Sequence, residues 1–178
     1  MKSLKKNFRF KDILLLNFIN LTNKDKQLVR GWRNNKDIRK WMYSENTISP
    51  KEHSNFIKKL KVDNQNFYWL AKNKDDKYLG VIYLNRLDNK NKNVYLGIYV
   101  NPNLKIRGIG HLLMTSLKRI AFKIIGLHSL KLEVIDINHQ AINFYRKEGF
   151  LKEGKLREFV FKDKKWHDVV IMGIINVK

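Results

Sequence analysis

The chain contains no cysteine. That excludes a disulfide framework, a cysteine-ligated metal site and a thiol nucleophile. The five histidines, His53, His111, His128, His139 and His167, show no i,i+4 pairing or other ligand spacing, so no metal is expected. Long hydrophobic runs are missing too. Lys2, Lys5 and Lys6 precede the first apolar run, residues 13–16, which is too short for a signal peptide or a membrane span. The expectation is a cytoplasmic protein with no membrane partner. Acidic residues are scarce: 16 Asp and Glu against 37 Lys and Arg give a formal net charge of +21. Such a balance suits nucleic acid, an anionic membrane or a phosphorylated ligand. No block of five or more basic residues occurs, so a general compositional bias explains the charge equally well.

What is present suffices for one domain over residues 1–178, with 43% hydrophobic residues to build a core. No internal repeat or linker interrupts it. Residues 13–18 read as a strand, and residues 25–34, with Leu28, Val29 and Trp32 at helical spacing, as a helix. Trp41, Met42 and Tyr43 follow neither period, and core and pocket fit them equally. Ser49-Pro50-Lys51-Glu52 starts a helix: Ser49 caps, Pro50 suits the first position and Glu52 completes a capping box. That helix carries Phe56, Ile57 and Leu60, with His53 one turn before them, either packed or functional.

Residues 67–72, 78–87 and 94–100 form a three-strand meander broken by polar turns. Residues 108–125 are helical, with Leu113, Leu117, Ile120 and Ile124 on one stripe. Residues 129–135 form a strand, Asn138 caps a helix that Gly149 ends, and residues 159–161 and 169–174 form a last hairpin. The fold class is α/β (α+β), a mixed and mostly antiparallel sheet flanked by helices, with one helical crossover after Val100.

The strand 94–100 leads through Asn101-Pro102-Asn103 into Lys105-Ile106-Arg107-Gly108-Ile109-Gly110-His111 and a helix. Backbone N–H groups at such a turn, with glycine admitting close approach and the helix dipole favouring negative charge, bind phosphate. Alone, a Gly-x-Gly loop is also what a simple tight turn looks like. Here Lys105-x-Arg107-Gly108-x-Gly110 resembles the acetyl-CoA signature of the GCN5-related N-acetyltransferases, which usually opens with Gln or Arg where this chain has Lys105. About thirty residues on, Asn138-His-Gln-Ala141-Ile142-Asn-Phe144-Tyr145-Arg-Lys147-Glu-Gly149-Phe150 resembles that family's closing motif at nearly every position.

The resemblance implies a fold whose two central strands splay apart to hold the pantetheine arm of acetyl-CoA. Ile98, Tyr99 and Val100 would lie on one side of the gap, and a backbone N–H near Tyr99 or Val100 would polarise the thioester carbonyl. Ile106, Gly108, Ile109, Gly110 and His111 would offer N–H groups to the pyrophosphate, with Lys105 and Arg107 adding charge. Asn138, Phe144 and Lys147 would complete the cofactor site. Tyr145 stands where many members place the general acid for the departing thiolate, though a packing role is the alternative. Glu133 sits among apolar residues on a strand, as a general base or as half of an ion pair with a nearby Lys or Arg. Without cysteine, a ping-pong route is excluded, and direct attack in a ternary complex is left.

A closer similarity, from Arg33 to Asp168, is to one subgroup, the nucleotide-sugar N-acetyltransferases of pseudaminic acid biosynthesis in bacteria that glycosylate flagellin. It rests on Arg33-Asn34, Trp41-Met42-Tyr43-Ser44, Lys51-Glu52-His53 with Phe56-Ile57, Tyr95-Leu96-Gly97-Ile98-Tyr99 and Leu127-His128-Ser129-Leu130 with Leu132-Glu133-Val134. The implied acceptor is UDP-4-amino-4,6-dideoxy-N-acetyl-β-L-altrosamine, acetylated on its 4-amino group. Met42, Tyr43, Phe56 and Tyr95 suit the apolar 6-methyl, and Arg33, His53, Asn85 and Arg86 suit the UDP. Two other readings stay open. A protein N-terminal or ribosomal-protein acetyltransferase would show an open groove between the first helices and the last hairpin. A nucleic-acid-binding module would interleave aromatic and basic residues along one element, which this chain does not, so no nucleic-acid partner is expected. A homodimer is compatible with the sequence.

Overall fold

The structure is a computed structural model and describes residues 4–177. Lys2, the first of the N-terminal lysines, lies outside them. Strands β1 (Phe8–Phe10) and β2 (Ile13–Asn17) form an antiparallel hairpin. β1 adds to the sequence-based expectation, because three residues give too little alternation to read. It is fixed by Phe8 packing 5.8 Å from Trp69, whose Nε1 donates to Lys6 O at 3.0 Å. A 3₁₀ turn, Phe18–Asn20, ends the expected strand one residue early.

Helix α1 (Asn23–Asn34) opens on a capping box between Thr22 and Asp25. A short α2 (Lys36–Arg39) follows, with Asn35 accepting from the Asp37 N–H at 2.8 Å. Helix α3 (Pro50–Leu60) carries the expected Ser49–Glu52 capping box and Pro50 at its start. Then come β3 (Phe67–Asn73), β4 (Tyr78–Asp88) and β5 (Asn93–Val100) as the meander. Helix α4 (Ile109–Lys118) continues into a π-helical stretch, Arg119–Ile125, before Gly126 turns the chain at φ +78°. The expected single helix over 108–125 therefore changes pitch halfway. β6 (Ser129–Ile135), α5 (His139–Lys147), β7 (Leu151–Lys162) and β8 (Lys165–Ile175) complete the order.

The last hairpin is much longer than the 159–161 and 169–174 read from the sequence. β7 is an edge strand with most of its side chains in solvent, so its first half shows no apolar alternation. The eight strands form one sheet, β1-β2-β3-β4-β5-β6-β8-β7, antiparallel except between β5 and β6. No helix among the described residues is long and apolar enough to cross a membrane.

Two cores flank the sheet. On one face Leu113 and Leu117 of α4 bury against Leu84, Val94, Leu130 and Leu132. On the other, Val29 and Trp32 of α1 and Ile57 of α3 bury against Leu70 and Val81. Each such aliphatic side chain contributes about 1.5–3 kcal/mol on burial. The two cores pack both faces of the sheet beside its parallel seam. β5 and β6 pair only over Asn93, Val94 and Tyr95 with Ser129, Leu130 and Lys131. Beyond that β5 stays bonded to β4 up to Val100, and β6 to β8 up to Ile135, so the two strands separate from one another.

Candidate active site

The gap between the separated strands is a cavity of about 410 Å³. Its walls are Ile98, Tyr99 and Val100 from β5 and Glu133, Val134 and Ile135 from β6. Gly110 of α4, Asn138 at the N-cap of α5, and Phe144 and Tyr145 of α5 close one end. Asp37, Ile38, Trp41 and Met42 close the other.

The first end is built for an anionic chain. The first bond to close α4 runs from Leu112 N–H to Gly108 O at 3.0 Å, which leaves the N–H groups of Ile109, Gly110 and His111 without helical acceptors. Gly108 caps the helix at φ +85°, a left-handed conformation that a side chain would strain, and it offers no side chain of its own to those donors. A Cβ at Gly110 would come within 3.1 Å of the Phe144 ring, so glycine here lets α5 close on α4. Lys105, Ile106 and Arg107 are exposed on the loop, whereas the Ile109 side chain is buried and offers backbone only. His111 is not free: its Nδ1 lies 2.7 Å from Glu148 Oε1, and Lys118 Nζ holds the Glu148 carbonyl at 2.6 Å. This ties the start of α4 to the end of α5. Asn138 caps α5 through the Ala141 N–H, and Lys147 is exposed on its last turn.

At the centre, backbone alternation decides which donors face the gap. Asn101 gives its N–H to Leu79 O at 2.9 Å, on the β4 side. N–H groups alternate between the two edges of a strand, so those of Val100 and Ile98 turn into the gap and that of Tyr99 turns away. Tyr145 is buried, with its ring against Phe144 and Phe150 at 5.3 and 5.7 Å. Its hydroxyl has no hydrogen-bond partner among the described residues. Burial pushes that hydroxyl well above its ordinary value, with nearby Tyr83 adding, so it stays protonated.

Glu133 faces the cavity as half of an ion pair. Arg86 Nη2 donates to its Oε1 at 2.8 Å and the Tyr43 hydroxyl to its Oε2 at 2.8 Å. Burial, then the bond to Glu133, raise Tyr43, so it acts as donor. Of the three large side chains left open between core and pocket, Trp41 and Met42 line the cavity. Tyr43 is 43% exposed and meets Phe159 at 6.1 Å.

Other expected acceptor contacts lie off the cavity. Tyr95 sits at the closed end of the seam with the Arg86 guanidinium 3.7 Å above its ring, not in the gap. Phe56 packs edge-on to Tyr68 at 5.1 Å within the second core. His53 is buried beside Phe56, and burial, with Arg30 and Lys26 nearby, pushes it down to about 4. It is thus a neutral residue rather than a cation. Arg33 stands among the hydroxyls of Tyr99, Tyr83 and Tyr68, with Nη1 sealed from solvent and unpartnered among the described residues. Burial lowers its guanidinium from the ordinary value. Asn85 Oδ1 is sealed and unpartnered as well.

Two participants escaped the sequence reading. Tyr83 lines the cavity and lies over Gly97, its cross-strand partner. The signal was the Tyr95, Gly97, Tyr99 face of β5, which needed a bulky partner opposite its glycine. Lys162 is buried and donates to Arg39 O and Met42 O at 3.2 and 2.9 Å, while Asp163 N–H reaches Glu45 at 3.0 Å. These bonds draw the last hairpin onto Arg39 and the segment after α2.

Three comparisons bear on this geometry. Residues 32–150 match the acetyltransferase (GNAT) family. The acetyltransferase PseH of Campylobacter jejuni is 32% identical over 149 residues, 84% of this chain and 91% of that protein. The structure of Campylobacter jejuni PseH with acetyl coenzyme A superposes at a TM-score of 0.71 with 28% identity, covering 93% of this chain and 99% of that one. Spermidine N-acetyltransferase from Vibrio cholerae, in complex with CoA and spermine, superposes at 0.84 with 23% identity over 92% and 95% of the two chains. Open N–H groups at α4, a glycine-permitted approach of Phe144 and a splayed seam with inward-facing donors fit acetyl-CoA. With the family match across both motifs, they place this chain in the GNAT family as an acetyl-CoA-dependent N-acetyltransferase.

Proposed function

We propose that the chain acetylates the 4-amino group of a UDP-linked 4-amino-4,6-dideoxy sugar, UDP-4-amino-4,6-dideoxy-N-acetyl-β-L-altrosamine, as a cytoplasmic step of pseudaminic acid biosynthesis for flagellin glycosylation. The whole chain acts as one catalytic domain. The observation that carries this reading is the Arg86–Glu133 pair at 2.8 Å. It brings a guanidinium, 57% exposed, to Glu133 on the cavity wall, the kind of cation that a nucleotide diphosphate binds. A polyamine requires the opposite. Asp37 and Glu133 are the cavity's carboxylates among the described residues, and Glu133 is already engaged. Trp41 and Met42 offer an apolar wall for the 6-methyl group.

When bound, acetyl-CoA supplies the acetyl group as a thioester. The N–H groups of Val100 and Ile98, which turn into the gap, would donate to the thioester carbonyl oxygen and stabilise charge that builds on it. Glu133 accepts one proton from the acceptor ammonium, which frees the nitrogen lone pair for attack. As the C–N bond forms and the C–S bond breaks, the Tyr145 hydroxyl gives its proton to the sulfur, and the nitrogen releases its second proton to solvent. Both groups then re-equilibrate with solvent, so one amine and one thioester yield one amide and one thiol.

The reading is tested by thiol release with four acceptors: the UDP-4-amino sugar, its phosphate-free methyl glycoside, spermidine and a peptide amine. The expected product carries the acetyl group on the sugar 4-nitrogen by NMR. Faster turnover of spermidine or peptide overturns it.

A further inference from the structure

Arg86 does not sit where a regular strand would put it. Tyr83 and Asn85 pair across from Gly97 and Tyr95, so position 86 should point to the opposite face of the sheet. The ladder slips between Asn85 and Asp88, and Arg86 takes φ +56°, a left-handed conformation that costs a non-glycine residue. The bulge turns its side chain back onto the Tyr95 face, where the guanidinium stacks on the ring at 3.7 Å and reaches Glu133 at 2.8 Å. Asn66 Oδ1 steadies the bulge by accepting the Arg86 N–H at 3.2 Å. Local strain is thus spent on bringing one cation to the cavity's innermost carboxylate.

The pair is asymmetric. Arg86 is 57% exposed at its side chain and Glu133 only 13%. An ion pair with one partner in solvent is weak, so an incoming anion can exchange with the carboxylate. Phosphate oxygens compete well, because a guanidinium binds them in the same forked geometry. Meanwhile Glu133 Oε1 is committed to Arg86 and Oε2 to Tyr43, which leaves neither well placed to take a proton from an amine.

We propose that Arg86 is a specificity-determining positioning residue: a nucleoside-diphosphate anion draws its guanidinium off Glu133, and only then does Glu133 Oε1 open to the acceptor amine. The proposal rests on the nucleotide-sugar reading above. The exchange breaks no covalent bond. In the step it permits, one proton passes from the substrate ammonium to the Glu133 carboxylate, leaving a neutral amine and a neutral carboxyl. The acceptor's diphosphate is thereby read as catalytic competence and not as affinity alone, so an amino sugar without phosphate that enters the cavity meets an engaged base.

The test uses the full chain, saturating acetyl-CoA and the phosphate-free methyl glycoside of the 4-amino sugar, with and without UDP. UDP in trans should raise kcat for the phosphate-free glycoside roughly tenfold or more, a part of the hundredfold or larger effect that a general base contributes. Arg86→Met should show the raised kcat without UDP and no response to it, while its KM for the UDP-linked sugar rises. A wild-type rate that UDP leaves unchanged or lowers overturns the proposal. So does a variant slowed in equal proportion on both acceptors. If Arg86→Met melts early, the wild-type response to UDP decides alone. Failure of the wild type to acetylate the UDP-linked sugar would instead sink the acceptor reading. Turnover of that sugar without any effect of UDP in trans sinks only the exchange.

Discussion

The ring of Tyr83 fills the space that a side chain at position 97 would occupy. A Cβ built on Gly97 would lie 2.0 Å from Tyr83 Oη and Cζ. Tyr83 has no room to retreat, because Tyr68 stacks on it at 5.0 Å. Gly97→Ala should therefore cost about 1–3 kcal/mol of stability, as overpacking does. Since Tyr83 lines the cavity, the same variant should raise KM for the acceptor while acetyl-CoA affinity changes little. Chemical denaturation and steady-state kinetics check the two halves separately.

Tyr145 faces the cavity with a hydroxyl that bonds to nothing else among the described residues and that burial keeps protonated. A proton donor used only in the transition state affects kcat and not ground-state binding. Tyr145→Phe should lower kcat by roughly a hundredfold or more, the scale of general acid catalysis. Calorimetric affinity for acetyl-CoA should stay within about twofold, because the ring and its contacts with Phe144 and Phe150 survive. Equal losses in rate and affinity would make Tyr145 a binding residue.

Lys162 holds the last hairpin against the segment that carries Met42. Its ammonium is buried and donates to two carbonyls, Arg39 O and Met42 O. Lys162→Met keeps the apolar stem and removes both bonds, leaving two carbonyls short of a donor. The loss should be about 1–3 kcal/mol, typical for a charge-assisted bond removed from one side. The wall made by Trp41 and Met42 should loosen, so acceptor KM rises. The α4 end is remote from this contact, and acetyl-CoA affinity should not move.

What the sequence disclosed and what it hid divide along physical lines. Lys105–Gly110 and Asn138–Phe150 were legible because each is a local device, a glycine-permitted turn and a capped helix, whose residues lie next to one another in the chain. The meander and its cross-over were legible from alternation. Tyr83 over Gly97 was not, since a cross-strand contact depends on register. Arg86 was read as a ligand for phosphate. Its pairing with Glu133 depends on a bulge, and no period of two or of 3.6 announces one. Tyr95 shares the Gly97 and Tyr99 face as expected. It falls at the paired end of the seam beneath the Arg86 guanidinium, a neighbour that register and a bulge decide. The first half of β7 was hidden because an exposed edge strand has no buried face to pattern it.

His53 gives a prediction in pH. Burial, then the charges of Arg30 and Lys26, push its imidazole down to about 4 from an ordinary 6.5. The folded chain therefore keeps it neutral in a range where the unfolded chain protonates it. Protons favour the unfolded state there, and the stability this residue carries is fully present above pH 6.5 and lost as pH falls toward 4. Asp25 does not confuse this window. Burial raises its carboxyl, but bonds from Tyr78 and Thr22 outweigh that and hold it below 3.8, so its contribution is lost only at still lower pH. The melting temperature should decline between pH 6.5 and 4.5 in the wild type and more shallowly in His53→Gln, which has no proton to gain. A neutral His53 also lends no charge to a bound nucleotide. Calorimetric affinity for a UDP-linked sugar, whose diphosphate has no proton to gain in this range, should then show no step near pH 6.5 in the wild type, and a step that disappears in His53→Gln would show that the imidazole is charged after all.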